Sequence, residues 1–184
     1  PQMRTYSLKY VELAEKHAEQ MAVRWAADVH NNPKTPTYKI LNEQKILSQC
    51  TWFYYQFSKM FVGEKITEDA LKYFRSYAEE SYAMGIPMAE AMYALTLMRR
   101  HIWLYADFQM IFSSSIDRQQ ALETLNRTIV LFDYATYEVT EQYQKLMKID
   151  RTDSKKALDV VEANIVDIAA AWADAVRKDK NTAA

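Results

Sequence analysis

The chain has 184 residues, 49% of them hydrophobic, and a formal net charge of −1. That length allows one domain with a sizeable core, and the balanced charge removes the electrostatic case for nucleic acid or an anionic membrane as partner. A single cysteine excludes an internal disulfide and suits a reducing compartment.

Two glycines and four prolines punctuate the whole chain. Hairpins and tight turns draw on those residues, so the scarcity predicts an all-α fold. Charged residues interrupt every apolar stretch before it reaches bilayer length, so no membrane span is expected. The N-terminus lacks the basic start and apolar run of a signal peptide, which makes the cytoplasm the expected location.

The first predicted helix runs from about Thr5 to Asn31, with Tyr10, Ala14, Ala18, Met21, Trp25 and Val29 on one face. His17 lies at the margin of that stripe, and His30 points away from it. Asn31-Asn32-Pro33 stops the helix, and Pro36 keeps the next loop open. A second helix is predicted over about Tyr38 to Phe61, burying Ile46, Leu47, Cys50, Phe53, Tyr54, Phe57 and Phe61, with Gly63 at its C-terminal end. Thr67 caps a third helix whose stripe is Ala70, Leu71, Phe74, Ala78 and Tyr82. Gly85-Ile86-Pro87 then turns the chain almost directly into a fourth helix, with Gly85 in the left-handed position.

The fourth helix, ending near Phe112, is apolar on two faces. One carries Met88, Met92, Leu95, Ile102, Ala106 and Met110; the other carries Tyr93, Leu97, Leu104, Phe108 and Ile111. Such a helix is buried on both sides, inside a domain or between its own core and a partner. A fifth helix follows from about Ile116 past Leu146, with Leu122, Leu125, Ile129, Phe132, Thr136, Val139, Tyr143 and Leu146 as its stripe. The polar run Arg151 to Ser154 predicts a break. A last helix, about Ser154 to Lys178, places Leu158, Val161, Ile165, Ile168, Trp172 and Ala175 at alternating spacings of three and four, the a/d pattern of a helix–helix seam. The predicted organisation is therefore a five- to six-helix domain over 1–150 and a linker or dimerisation helix with its tail over 151–184.

Few side chains suggest chemistry. There is no Glu-x-x-His pair for a di-iron site, no zinc spacing and no glycine-rich phosphate loop. No catalytic or metal-binding residue is assigned, and Cys50 reads as a buried, inert thiol. A haem would need an axial ligand facing an apolar pocket, for which His17 and His101 are the candidates; no cofactor is the main expectation. Arg99 interrupts an apolar face of the fourth helix, and a buried guanidinium needs a partner. Asp133 and Glu79 are the expected partners in a structural ion pair. The two-faced fourth helix and the seam together predict a homodimer through Tyr93, Leu97, Leu104, Phe108, Leu158, Val161, Ile165, Ile168 and Trp172.

Three stretches carry a family resemblance: HAEQMAVRWAADV, YFRSYAEESYAMGIPMAEAMYALTLMRRHIW and LFDYATYEVTEQY. With them, the segment from about His17 to Tyr143 resembles the N-terminal sensory domain of RsbR-type stressosome proteins, the RsbRD N-terminal family. The resemblance implies a globin-like fold that usually lacks haem and dimerises through its last helices. It also implies a linker helix leading to a phosphorylatable STAS output domain, partners among stressosome proteins, and a signalling rather than enzymatic role. No STAS domain follows within these 184 residues, so no phosphorylation site carries over.

Overall fold

A computed structural model describes residues 14–62, 65–108 and 115–182. The fold is all-α: α1 (Ala18–Asn31), α2 (Glu43–Tyr55), α3 (Glu68–Ala83), α4 (Met88–Phe108) and α5 (Ser115–Thr182), with short 3-10 helices at Pro36–Ile40 and Phe57–Met60. Among the described residues the strands are β1 (Phe61–Val62) and β2 (Lys65–Ile66), one antiparallel pair with Phe61 opposite Ile66.

Local chemistry sets the boundaries. The predicted second helix starts later and ends earlier than its apolar pattern implies. Asn42 caps α2 by accepting from the backbone N–H groups of Gln44 (2.9 Å) and Lys45 (3.4 Å), which satisfies donors that the first helical turn leaves open. The residues before it form the 3-10 helix instead, and those after Tyr55 form a second 3-10 helix and the strand pair. The expected role of Gly63 lies outside the described residues, as do the start of the first predicted helix and the end of the fourth. Thr67 caps α3 as expected, its hydroxyl accepting from Ala70 N at 3.2 Å.

The junction of α3 and α4 is a Schellman motif. Gly85 has φ +73, Gly85 N donates to Tyr82 O at 2.9 Å and Ile86 N to Ser81 O at 3.0 Å. These bonds satisfy the last carbonyls of α3, and Pro87 O accepts from Glu90 N and Ala91 N to begin α4 at once. The break predicted at Arg151–Ser154 is absent: α5 runs through it. Thr152 is accommodated there by donating its hydroxyl to Lys148 O at 2.9 Å, the bond a helical threonine makes to the preceding turn.

The chain divides into two compact units, Pro1–Tyr143 and Gln144–Ala184, so the packed unit ends a little before the boundary expected at 150. In the first unit, α4 lies at the centre. Its Ala91, Ala94, Leu95, Leu97, Met98 and Ile102 are buried together with Trp25, Phe53, Tyr54, Phe74, Tyr77 and Tyr143 from the other helices. Three helices fasten it by the same device. Tyr77 Oη of α3 donates to Ala91 O, Trp25 Nε1 of α1 to Ala94 O and Tyr54 Oη of α2 to Met98 O, each at 2.8 Å. A carbonyl has two lone pairs, so one stripe of α4 accepts these buried donors while keeping its helical bonds. Tyr143 Oη of α5 adds a bond to Ile86 O at 3.0 Å, just before α4.

Candidate functional site

The residues expected at an interface separate into two groups. Leu158, Val161, Ile165, Ile168 and Trp172 of the second unit are 52–74% exposed, and every residue from Met147 to Trp172 is exposed. This stripe has no apolar cover among the described residues. The second face predicted for the fourth helix fares differently. Leu97 is 1% exposed, which corrects its assignment to a dimer interface: the crowding of α1, α2, α3 and α5 around α4 uses both of its faces within one chain. Tyr93 packs against the core and lies under the Lys34 ammonium, 5.0 Å from the ring centroid. Leu104 is part of the exposed surface, and the Phe108 side chain lies outside the described residues.

The expected Arg99 ion pair is also corrected. The Arg99 guanidinium lies over the Phe132 ring of α5, 6.0 Å from its centroid, at the reach of a cation–π contact. Glu79 instead accepts from Gln142 Nε2 at 2.8 Å, and Asp133 is solvent-exposed. An arginine that joins two helices through carboxylates is Arg75 of α3, which pairs with Glu68 at the start of its own helix and with Glu138 of α5 at 3.6 Å. Nothing in the apolar periodicity singles out Arg75, because it sits at the edge of its stripe.

Both candidate haem ligands are engaged elsewhere. His17 Nδ1 is 3.2 Å from Gln20 Oε1, and its ring leans on Tyr105 at 5.0 Å. His101 Nε2 is 3.1 Å from Asp28 Oδ2. Burial holds the His101 imidazole below its ordinary pKa, outweighing the raising effect of Asp28; the nearby Arg100 and Arg24 act in the same direction as burial. At neutral pH the contact is therefore a hydrogen bond from a neutral ring. The interior that a macrocycle would need is filled by Trp25, Tyr38, Phe53, Tyr54 and Tyr77, all 0–1% exposed. This donor set and this packing do not fit a haem.

Cys50 is buried as expected. Burial pushes its thiol well above the ordinary range, despite a partly offsetting hydrogen bond with Tyr54, and a thiol kept neutral is a poor nucleophile. Burial likewise raises the hydroxyls of Tyr54, Tyr73 and Tyr77, which fixes them as neutral donors.

Two features escape the sequence reading. Glu90, 9% exposed, accepts from both Thr37 N and Thr37 Oγ1 at 2.9 Å and ties the first 3-10 helix to the N-terminal turn of α4, where a carboxylate is favoured. A pocket of about 340 Å³ lies between α2 and α3, lined by Gln49, Trp52, Tyr73, Ser76, Tyr77 and Glu80 among others. The spacings 49/52 and 73/76/77/80 place these residues on facing helical stripes. Their mixture of aromatic and polar types reads in sequence as ordinary amphipathic patterning.

No family model matches the chain, and no curated protein and no solved structure matches it either. No helix among the described residues is long and apolar enough to cross a membrane.

Proposed function

We propose that the chain is a non-enzymatic sensory or regulatory domain of the cytoplasm. It works as a homodimer and relays its signal through the C-terminal helical region. The observation that supports this reading is the a/d stripe from Leu158 to Trp172, exposed along its whole length in the single chain. Removing such side chains from water is worth about 1.5–3 kcal/mol each, and a two-fold pairing lets one stripe cover its own copy. A small rotation within such a seam is a recognised way to pass a signal to an attached domain.

A globin-like arrangement, a role in stress signalling and partners of the STAS or stressosome type rest on the sequence resemblance alone. An enzyme built around Arg99 is the weaker reading, because that guanidinium lies on Phe132 rather than facing a carboxylate across a pocket. A haem sensor is weaker still, given the engaged histidines.

Analytical ultracentrifugation of the whole chain tests the proposal. The expected result is a dimer at micromolar concentration that Ile165→Lys converts to a monomer, while the thermal unfolding of the packed unit stays in place. A wild-type monomer, or a dimer indifferent to Ile165→Lys, overturns it.

A further inference from the structure

The pocket between α2 and α3 contains one polar group whose environment is incomplete. Gln49 is 7% exposed, with one hydrogen bond to its side chain and another to its backbone carbonyl. Its Nε2 donates to Glu80 Oε2 at 2.8 Å, and its own backbone carbonyl accepts from Tyr73 Oη at 3.0 Å. The amide oxygen Oε1 is buried and accepts no hydrogen bond. Leaving a buried acceptor unsatisfied is costly, and such groups in folded proteins call for a specific explanation.

The rest of the lining states what kind of donor would complete it. Among the described residues, Glu80 is the one charged residue lining the pocket, and a carboxylate that already receives Gln49 still has acceptor capacity. Trp52 and Tyr73 stack at 5.0 Å with an interplanar angle of 15°, and Trp52 remains 47% exposed. An exposed indole beside a carboxylate is the combination that attracts an organic cation. The volume, about 340 Å³, is at the small end of the range for ligand sites.

We infer that this pocket binds a small organic cation bearing N–H donors, with a guanidinium group as the best fit. A guanidinium is planar, so it lies flat on an aromatic face, and its donors are spaced to meet a carboxylate in a fork. In this site it stacks on Trp52 and pairs with Glu80, and a turn of the Gln49 side chain, whose Oε1 is sealed from solvent, brings that oxygen to one of its donors. The site belongs wholly to the packed unit. It goes beyond the proposed dimeric relay and stands or falls independently of it.

Methylguanidinium chloride, titrated into the full chain and followed through the Trp52 indole and Gln49 amide resonances, tests the inference. Saturable shifts at both groups are expected, weakened at least about tenfold by Glu80→Gln. Trp52→Ala, read by calorimetry, removes the aromatic contact by a second route and is expected to weaken binding as well. Two further probes separate the contributions. Urea has the same planar shape without the charge, and tetramethylammonium has the charge without the N–H donors; each is expected to bind at least about tenfold more weakly. Shifts that rise linearly without saturation, as for a pocket that holds only water, overturn the site. Saturation unaffected by Glu80→Gln overturns the cation assignment, and tetramethylammonium binding as tightly as methylguanidinium overturns the donor assignment.

Discussion

Up to Tyr143, one stripe of apolar side chains is buried against other parts of the same chain; from Met147 to Trp172 every residue faces solvent. The contrast runs along the residues of one helix. In the packed unit, Thr128, Leu131, Phe132, Ala135, Val139 and Tyr143 of α5 are all nearly inaccessible. In the second unit, Leu158, Val161, Ile165, Ile168 and Trp172 repeat at a similar helical spacing and are all more than half exposed. Both patterns announce a face that avoids water, but only one finds its cover within the chain. A periodic apolar stripe therefore reports the need for burial and leaves the identity of the covering surface open.

The largest expected effect comes from emptying the core of the packed unit. The Phe53 ring has aromatic neighbours in Tyr54, Phe57, Tyr73, Phe74 and Phe132, with centroids 5.4–6.1 Å away. Phe53→Ala removes this hub and is expected to cost about 3–5 kcal/mol in urea unfolding. Ile165→Lys, by contrast, should leave the stability of the packed unit within about 0.5 kcal/mol, as a surface substitution does, while changing the state of assembly. Equal destabilisation by the two would erase the distinction between the units.

How far the sequence alone carries can be judged from particular residues. The all-α class follows from the shortage of Gly and Pro, and the turn at Gly85 follows from a conformation that glycine adopts readily. The caps at Thr67 and Gly85 were legible because they depend on neighbours a few residues away. Four things were not. The polar run at 151–154 looks like a stop signal, yet Thr152 satisfies itself against the turn below and the helix continues. Leu97 looks like a partner-facing residue because periodicity cannot say how many helices surround α4. Periodicity marks Tyr54 only as a buried residue, although Tyr54 and Tyr77 are directional donors to single carbonyls of α4, contacts separated by 44 and 14 positions in the chain. The pocket was hidden for the same reason: Gln49 and Glu80 meet only after α2 and α3 have packed.

Arg99 gives a smaller effect that sharpens this point. Were it half of a buried ion pair, losing its charge would cost about 3–5 kcal/mol. Lying over Phe132 at a partly buried position, it contributes about 0.5–1 kcal/mol. Arg99→Leu should therefore destabilise the packed unit by no more than about 1 kcal/mol in the same urea assay. A loss several times larger would mean that a carboxylate is its true partner.

The smallest effect is a dependence on pH confined to the packed unit. Burial keeps the folded His101 imidazole less basic than in the unfolded chain, even with Asp28 beside it. The unfolded state then binds more protons over the interval between the two values, so stability rises with pH there. The contribution is complete above the unfolded value of about 6.5 and is lost as the pH falls from that value toward the lower folded one. Urea unfolding of wild type and His101→Gln at about pH 7.5 and about pH 5.5 measures it. Wild type is expected to lose more stability on acidification than the variant, because the glutamine has no proton to take up when the chain unfolds. Acidification that stabilises wild type relative to His101→Gln would instead require an imidazolium held by Asp28, and the hydrogen bond between α1 and α4 would then be an ion pair.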